Sequence, residues 1–255
     1  MLRVDDIHFA YAEEPILQGV SLRIEGGVLG ILGQSGCGKS TLLRVIAGLL
    51  RPDQGDIYVN EESLWRKGVK QRRRLSRDIG MVFQEGALFD FLNVRGNLEF
   101  ALHSLRFPRS VWEENISEAL SSVGLEDPAL LSRFTTELSG GQLRRVGLAR
   151  TLVVKPRIVL YDEPTTGLDP QRSRDICDMV RSNLHASKLA IIVSHDIRFI
   201  RLVCTEAILL ERGSISARIN KEGIEKLFSP PFDFGDDPDV DRFHRFIEGL
   251  PTRSR

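Results

Sequence analysis

Short apolar runs alternate with longer helical patterns along most of the chain. The runs are rich in Val, Ile and Leu and lie at residues 28–32, 79–83, 158–161 and 189–193. A short, continuously apolar run is typical of a strand buried on both faces, and such strands occur in parallel sheets covered by helices. The pattern predicts an α/β fold with a largely parallel sheet and helices packed outside it.

Three segments near the N-terminus have a different pattern. Residues 2–9 and 20–24 alternate between apolar and polar side chains, and residues 56–59 follow a Pro-Asp-Gln-Gly turn. Such alternation is typical of antiparallel strands that expose one face. These segments predict a small antiparallel β layer beside the main sheet.

A helical pattern interrupts the apolar runs from about residue 86 to residue 150. Its clearest helices are predicted at 111–123 and 142–153. The stretch predicts a helical insertion within a single domain of residues 1–228. The core of that domain is assigned to two segments, residues 1–85 and 151–228.

Residues 229–255 are predicted to be a C-terminal extension. The segment begins Ser-Pro-Pro-Phe and is rich in aspartate, which favours an irregular tail over another layer of the core. A short helix over residues 238–248 is the alternative.

The charge of the chain bears on which partners it could bind. Lys plus Arg and Asp plus Glu each number 35, so the zero net charge gives no global signal for nucleic acid. Seven cations lie in residues 66–77, which we interpret as a solvated helix face.

Cys37, Cys177 and Cys204 are too scattered for a disulfide framework or a zinc cluster, which favours a reducing, cytoplasmic setting. We find no signal-peptide pattern and no apolar stretch long enough to cross a membrane.

A glycine-rich loop follows the first apolar run and precedes a helix predicted over residues 39–49. The loop consists of Gly33, Gln34, Ser35, Gly36, Cys37, Gly38, Lys39, Ser40 and Thr41. The order Gly, four residues, Gly-Lys-Ser, between a strand and a helix, is typical of a loop whose backbone N–H groups surround nucleotide phosphates. An ordinary strand-to-helix turn is the alternative, which the flanking elements disfavour.

The polar side chains of this loop have distinct expected roles. Lys39 is predicted to reach the β- and γ-phosphates, and the Ser40 hydroxyl to join the shell of a Mg²⁺ ion. Thr41 is predicted to hydrogen-bond a phosphate oxygen. Cys37 is interpreted as a small residue that points away from the phosphates rather than as a reactive thiol.

Two carboxylates and a histidine follow later apolar runs, where the ligands of an open parallel sheet gather. Asp162 is predicted to hold Mg²⁺ through its water shell, and Glu163 to polarise or deprotonate an attacking water. His195 is predicted to contact the γ-phosphate or that water. Acids that merely cap a strand, and a structural histidine, are the alternatives.

A second glycine-containing helix start follows Leu138. It consists of Ser139, Gly140, Gly141 and Gln142. Glycines and a serine before a helix form an anion-binding terminus, yet the chain already has one loop for its own phosphates. Two such sites indicate two chains that share their nucleotides.

In this order the motifs resemble those of the ATPase subunits of ABC transporters, over nearly the whole chain. The resemblance implies a phosphate-loop (RecA-like) parallel-sheet core with an N-terminal antiparallel β layer and an inserted helical subdomain. It implies ATP and Mg²⁺ as ligands and makes residues 138–142 the family's signature sequence. It also assigns three more residues: Tyr11 stacks on adenine, Gln84 reaches towards Mg²⁺ and the attacking water, and Asp169 lies in a loop between subunits.

The same resemblance implies the partners and the location. Two copies pair head to tail, so that ATP lies between the phosphate loop of one and the signature sequence of the other. The helical insertion passes their motion to integral membrane permease subunits, and nucleic acid is not an expected partner. The expected location is peripheral, on the cytoplasmic face of a bacterial inner membrane.

Two segments resemble one branch of this family, the phospholipid transporters of the Mla type, which work with MCE-domain proteins. Residues 86–89 read Gly-Ala-Leu-Phe, and residues 237–249 combine an acidic Asp-Pro turn with Phe-Ile-Glu-Gly. They imply phospholipid as cargo and an MCE-domain partner. One alternative is an importer of amino acids or other small polar solutes. A soluble ABC protein of DNA repair or translation is the other, disfavoured because the sequence shows no coiled coil, zinc module or second cassette.

Overall fold

The computed structural model describes residues 1–66, 68–83, 86–167, 170–183, 189–228 and 237–250. Its strands, in chain order, are β1 (Leu2–Tyr11), β2 (Glu14–Ile24), β3 (Gly27–Leu32), β4 (Gln54–Val59), β5 (Glu62–Ser63), β6 (Ile79–Val82), β7 (Ile158–Asp162), β8 (Leu189–Val193), β9 (Glu206–Glu211) and β10 (Ser214–Asn220). Its α-helices are α1 (Lys39–Ile46), α2 (Val69–Ser76), α3 (Val94–Ser104), α4 (Trp112–Ser121), α5 (Gly140–Leu152), α6 (Pro170–Asn183), α7 (Ile197–Val203), α8 (Lys221–Lys226) and α9 (Pro238–Ile247).

The main sheet has the strand order β10-β9-β3-β8-β7-β6. Neighbouring strands from β9 to β6 are parallel, and only the β9–β10 pair is antiparallel. The four predicted apolar runs are β3, β6, β7 and β8, so the prediction of a largely parallel sheet is confirmed. The hairpin of β9 and β10 was not predicted.

Successive residues of the central strands pack into different cores. In β3, Val28 and Leu32 join the core formed with the later helices, whereas Leu29 and Ile31 join the core formed with α1 and the smaller sheet. Side chains of a strand point alternately to opposite faces, so a strand covered on both sides must be apolar throughout. This burial explains why the four runs are continuous.

The smaller sheet has the order β2-β1-β4-β5, with antiparallel pairs throughout. The predicted β layer is confirmed. Strand β2 begins at Glu14, before the predicted start at residue 20, because it pairs with the whole length of β1, as far as Glu14 opposite Tyr11.

Helices α3, α4 and α5 lie between β6 and β7 in the chain, as expected for the helical insertion. The helix predicted at 111–123 is a short 3₁₀ turn followed by α4, and α5 begins at Gly140 rather than at residue 142. Helix α1 ends at Ile46 rather than at residue 49, because Gly48 takes a positive φ of 73° that ends a right-handed helix. In α2, Leu75 is the buried residue, so its cations lie on a solvated face as predicted.

The prediction of an irregular tail was wrong for residues 238–247, where the alternative of a short helix, α9, is confirmed. The Asp237 side chain accepts hydrogen bonds from the N–H groups of Asp239 and Val240, which caps the helix. Val240 and Phe243 are fully buried against their own chain. Among the described residues, no helix is long and apolar enough to cross a membrane.

We expect Phe243→Ala to lower the free energy of unfolding by about 3 kcal/mol or more, because it leaves a cavity in the core. Phe91→Ala is the matched control, since that ring is 75% exposed and its loss opens no cavity. Thermal and urea denaturation measure both. Equal stability of the two variants would mean that α9 does not dock as described.

Candidate functional site

The loop between β3 and α1 depends on two glycines. Gly33 has a φ of 155°, and a Cβ there would lie 2.3 Å from the carbonyl oxygen of Leu210. Gly38 has a φ of 106°, and a Cβ there would lie 2.9 Å from the carbonyl oxygen of Ile16. Side chains are excluded at both positions, so the backbone curves tightly before α1 starts at Lys39. The first N–H groups of α1 therefore face the space inside the loop, as an anion site requires.

Lys39 is anchored inside this curve. Its ammonium donates to the carbonyl oxygens of Gly33 and Gln34, each at 2.8 Å, and the residue is 8% exposed. A buried ammonium needs such partners, and a phosphate oxygen can supply a further one. The cation is thus held at the place where an anion bound by the loop would lie.

Ser40 and Asp162 meet across the gap between α1 and the end of β7. The Ser40 hydroxyl donates to Asp162 Oδ1 at 2.8 Å. Burial raises the pKa of Asp162, although the Ser40 hydrogen bond and the charge of Arg44 oppose this shift. A hydroxyl and a carboxylate side by side are hard oxygen ligands that suit Mg²⁺, which takes few protein ligands and completes its shell with phosphate and water. The predicted metal residues Ser40 and Asp162 therefore fit the ion.

Glu163 is held in a sterically costly conformation by its neighbours. Its φ is 50°, in the left-handed region that non-glycine residues rarely adopt. Its Oε2 accepts from the Thr166 hydroxyl at 3.0 Å and lies 2.8 Å from His195 Nδ1. When Glu163 is ionised, Nδ1 is the donor of that contact, which leaves Nε2 free to face a ligand. The structure brings two predicted residues, Glu163 and His195, into direct contact.

One cavity of about 370 Å³ connects these groups. Its lining comprises Ile16, Ser35, Gly36, Gly38, Lys39, Ser40, Thr41, Glu163, Thr166 and His195. Phosphate loop, carboxylate and histidine thus face a single space. Sequence reasoning missed Ile16 and Thr166. Of these two residues, Thr166 could have been found from the sequence. It lies three residues after Glu163, a spacing at which its hydroxyl can reach back to the carboxylate.

The remaining loop residues and Tyr11 lie outside this lining. Cys37 packs beside Gly33 and lines a different cavity with Gln34, and burial raises the pKa of its thiol. This agrees with its interpretation as an unreactive residue turned away from the phosphates. Tyr11 is 46% exposed and packs edge-on against Phe9 with 4.9 Å between the ring centres.

The second predicted anion site starts α5 on the protein surface. Ser139 caps the helix: its hydroxyl accepts from Gln142 N, and Gln142 Oε1 accepts from Ser139 N at 3.0 Å. Nothing lies within 4 Å of a Cβ built on Gly140 or Gly141. This segment does not line the cavity of its own chain. Gln84 and Asp169, the other predicted site residues, lie outside the described residues.

Comparison with known sequences agrees with these features. A family model described as ABC transporter matches residues 17–166. The methionine import ATP-binding protein MetN of Corynebacterium jeikeium is 36% identical over 217 residues, which are 84% of this chain and 58% of that protein. MetN of Thermobifida fusca is 37% identical over 221 residues, 84% of this chain and 68% of that protein. The chain therefore spans about three fifths to two thirds of these relatives.

Solved structures share the fold. The dimeric post-hydrolysis state of the ATP-binding cassette MJ0796, bound to ADP and Pi, is 30% identical, with a TM-score of 0.77 over 87% of this chain and 99% of that one. CbiO1 of Clostridium perfringens, part of the ABC transporter complex cbiONQ, is 29% identical, with a TM-score of 0.78 over 91% of each chain. The predicted arrangement of core, β layer and helical segment is thereby confirmed.

Proposed function

The chain belongs to the ABC transporter family and has the fold of its ATP-binding cassettes, and we propose that it hydrolyses ATP to drive transport by membrane permease subunits. The observation that carries the proposal is the single cavity lined by Lys39, Ser40 and Glu163, in which Ser40 also donates a hydrogen bond to Asp162. Anion binding, metal ligation and a base for water are the three functions that hydrolysis of a phosphate anhydride needs.

Binding comes from the loop and its lysine. The N–H groups at the start of α1 hydrogen-bond the phosphates, and Lys39 turns its third N–H bond towards them while its carbonyl contacts hold the ammonium in place. Ser40 and Asp162 would hold Mg²⁺, which when bound neutralises charge on the phosphates. Thr41 lines the same space and adds a hydroxyl donor.

Hydrolysis depends on Glu163. Its carboxylate accepts a proton from a water whose oxygen attacks the γ-phosphorus, while the bond from that phosphorus to the bridging oxygen breaks and ADP leaves. Thr166 and His195 both hydrogen-bond Oε2, so they fix that oxygen and leave Oε1 for the water. When both ring nitrogens of His195 carry a proton, Nδ1 donates to Glu163 and Nε2 can donate to the γ-phosphate.

The signature sequence works on the nucleotide of a second copy in this proposal. Residues 139–142 start a helix on an open surface and do not line their own cavity. A related cassette of known structure is dimeric with ADP and Pi bound. A head-to-tail pair would place this helix start against the phosphates of the partner, where its N–H groups and the Ser139 hydroxyl donate to anionic oxygen.

Two inactive variants test this sharing. Ser139→Arg fills the open surface with a bulky cation, and Lys39→Ala disables the phosphate loop, so each alone should show almost no ATPase activity. A heterodimer of the two retains one intact composite site, made of the loop of the Ser139→Arg chain and the signature of the Lys39→Ala chain. Differently tagged, co-purified heterodimers should recover about half of the wild-type rate or less, but far more than either variant. A heterodimer as inactive as its parents would contradict shared sites.

A cluster of aromatic rings on the helical segment supports docking of a permease. Phe89 contacts Phe91 and Phe100, with 5.5 and 4.6 Å between ring centres. Phe91 is 75% exposed and Phe100 46% exposed. Exposed aromatic patches mark sites of protein interaction. We therefore propose that this cluster packs against the permease. The family's arrangement would put the subunit on the cytoplasmic face of the membrane.

The relatives favour an amino-acid importer as the transporter. Those of C. jeikeium and T. fusca are named for methionine import. We therefore propose that the transporter imports methionine or a similar amino acid. This is the alternative to phospholipid transport that the sequence left open. Phospholipid remains the second candidate because residues 86–89 and 237–249 resemble the Mla branch.

Packing accounts for part of the Mla-like pattern. A Cβ on Gly147 would lie 2.8 Å from the Cα of Gly86, so Gly147 lets the turn touch α5, and Gly86 itself adopts a positive φ of 74° in that turn. Phe243 and Val240 serve the docking of α9 on its own chain. Because these residues have structural roles, they are weak indicators of cargo, and phospholipid with an MCE-domain partner stays behind the amino-acid importer.

Reconstitution distinguishes the two cargoes. The subunit is purified with the permease that accompanies it, and its ATPase rate is measured in nanodiscs with methionine and the substrate-binding protein of the same transporter, or with an MCE-domain protein and added phospholipid. Stimulation in the first condition supports the importer. Stimulation only in the second would assign the transporter to phospholipid instead.

A further inference from the structure

Arg144 connects the signature helix α5 to the turn that follows Glu163. Its Nη1 donates to the carbonyl oxygen of Pro164 at 3.3 Å, and its Nη2 donates to that of Thr166 at 2.6 Å. The planar guanidinium thus spans two carbonyl groups of one turn. The arginine lies little more than one helical turn beyond Ser139.

The turn that Arg144 holds contains a strained backbone position at Glu163. Glu163 has a positive φ, and such a conformation persists only where the surroundings fix it. On one side, Glu163 N donates to the carbonyl oxygen of Val193 at 3.0 Å. On the other side, the carbonyl groups of Pro164 and Thr166 are held by Arg144. The guanidinium therefore adds to the support from the sheet, together with the hydrogen bond from Thr166 N to the carbonyl oxygen of Glu163 at 3.3 Å.

Thr166 passes this support to the carboxylate. The same residue offers its carbonyl oxygen to Arg144 and donates its hydroxyl to Glu163 Oε2 at 3.0 Å. A shift of Arg144 would move Thr166 and change where the Glu163 oxygen lies. General-base catalysis is sensitive to such displacement because the base must be within hydrogen-bond distance of the water.

We propose that Arg144 is a positioning residue that couples the two nucleotide sites: it links the signature helix, which acts on the nucleotide of the partner, to Glu163, which acts on the nucleotide of its own chain. The inference rests on the proposed function, in which the signature acts on a second copy. Within one subunit, α5 is the rigid element that joins the two half-sites. Arg144 holds the turn of Glu163 in the single chain, and engagement of the N-terminus of α5 by the partner's phosphates strengthens that hold without being required for it.

Kinetics of the full chain with its permease give the first test. Arg144→Ala should lower kcat by about 10–100-fold and leave the KM for ATP within about two-fold, because nucleotide contacts are intact and the base is misplaced. Arg144→Lys keeps the charge and a single donor nitrogen in place of the planar fork, and should recover part of kcat. Arg145→Ala is the matched control. Arg145 lies beside it on α5 and pairs with Asp175 at 3.3 Å without contacting the turn, so kcat should change far less. Equal losses in the two alanine variants would mean that general destabilisation of α5 is responsible.

The heterodimer of Lys39→Ala and Ser139→Arg chains gives the decisive test, because its one active site uses Glu163 of the Ser139→Arg chain and the signature of the Lys39→Ala chain. Arg144→Ala added to the Ser139→Arg chain should abolish most of the recovered activity. The same change in the Lys39→Ala chain should leave most of it. A loss in the second case, or no loss in either, would overturn the inference. An unmodified heterodimer without activity would instead contradict the proposed function.

Discussion

Glu163→Gln is expected to lower kcat for ATP hydrolysis by about 10³-fold while ATP affinity stays within about two-fold of wild type. The amide keeps the size of the side chain and can still accept from Thr166 and His195 through its oxygen, so the turn keeps its shape. It cannot accept a proton from water at neutral pH. Nucleotide binding, which relies on the phosphate loop, is unaffected.

Single-turnover hydrolysis and equilibrium binding of ATP measure the two effects separately. Size-exclusion chromatography with ATP should also show a persistent dimer, because closure occurs and hydrolysis does not reopen it. Glu248→Gln, an exposed carboxylate at the end of α9, is the control for loss of one negative charge. Turnover near the wild-type rate in Glu163→Gln would exclude Glu163 as the base.

Lys39→Ala is expected to weaken ATP binding by about 100-fold, the loss typical of charge-assisted hydrogen bonds to phosphate. The substitution also removes the Lys39 hydrogen bonds to the carbonyl oxygens of Gly33 and Gln34, which loosens the loop although Gln34 keeps the hydrogen bond from Cys37 N. Binding of a fluorescent ATP analogue reports the affinity, and thermal denaturation without nucleotide reports any loss of fold.

Lys70→Ala is the matched control for Lys39→Ala. It removes the same charge from the exposed helix α2, away from the cavity, and should leave affinity unchanged. If both variants bind ATP as the wild type does, the glycine-rich loop is not the phosphate site.

The sequence predicted those parts of the fold whose signals are local. The runs of β3, β6, β7 and β8 are apolar throughout because both faces of the sheet are covered. The spacing of glycines in the glycine-rich loop predicts its tight backbone turn. The β9–β10 hairpin was missed for two reasons. The apolar run of β9, from Ala207 to Leu210, is as long as the run at 158–161 and was overlooked, whereas β10 alternates only weakly and is recognised by its pairing with β9.

The site divides in the same way. Lys39, Ser40, Asp162, Glu163 and His195 follow strand ends or a recognisable motif, and their convergence could be expected. The contribution of Arg144 depends on where α5 lies against the turn of Glu163, about 20 residues further along the chain. No spacing rule in the sequence reports such a contact. The error in the tail has a related cause, because the aspartates that favoured an irregular tail include Asp237, which caps α9.

The open surface at Gly140 and Gly141 has a consequence for how the assembly responds to the energy state of the cell. In the proposed dimer, the surface of each subunit contacts the nucleotide bound to the other. Each closed pair of subunits therefore requires two bound ATP molecules. By mass action, the population of closed pairs below saturation then rises with the square of the ATP concentration. A modest fall in the ATP concentration would then lower the number of closed pairs more than proportionally. The transport rate would fall before the ATP supply is exhausted.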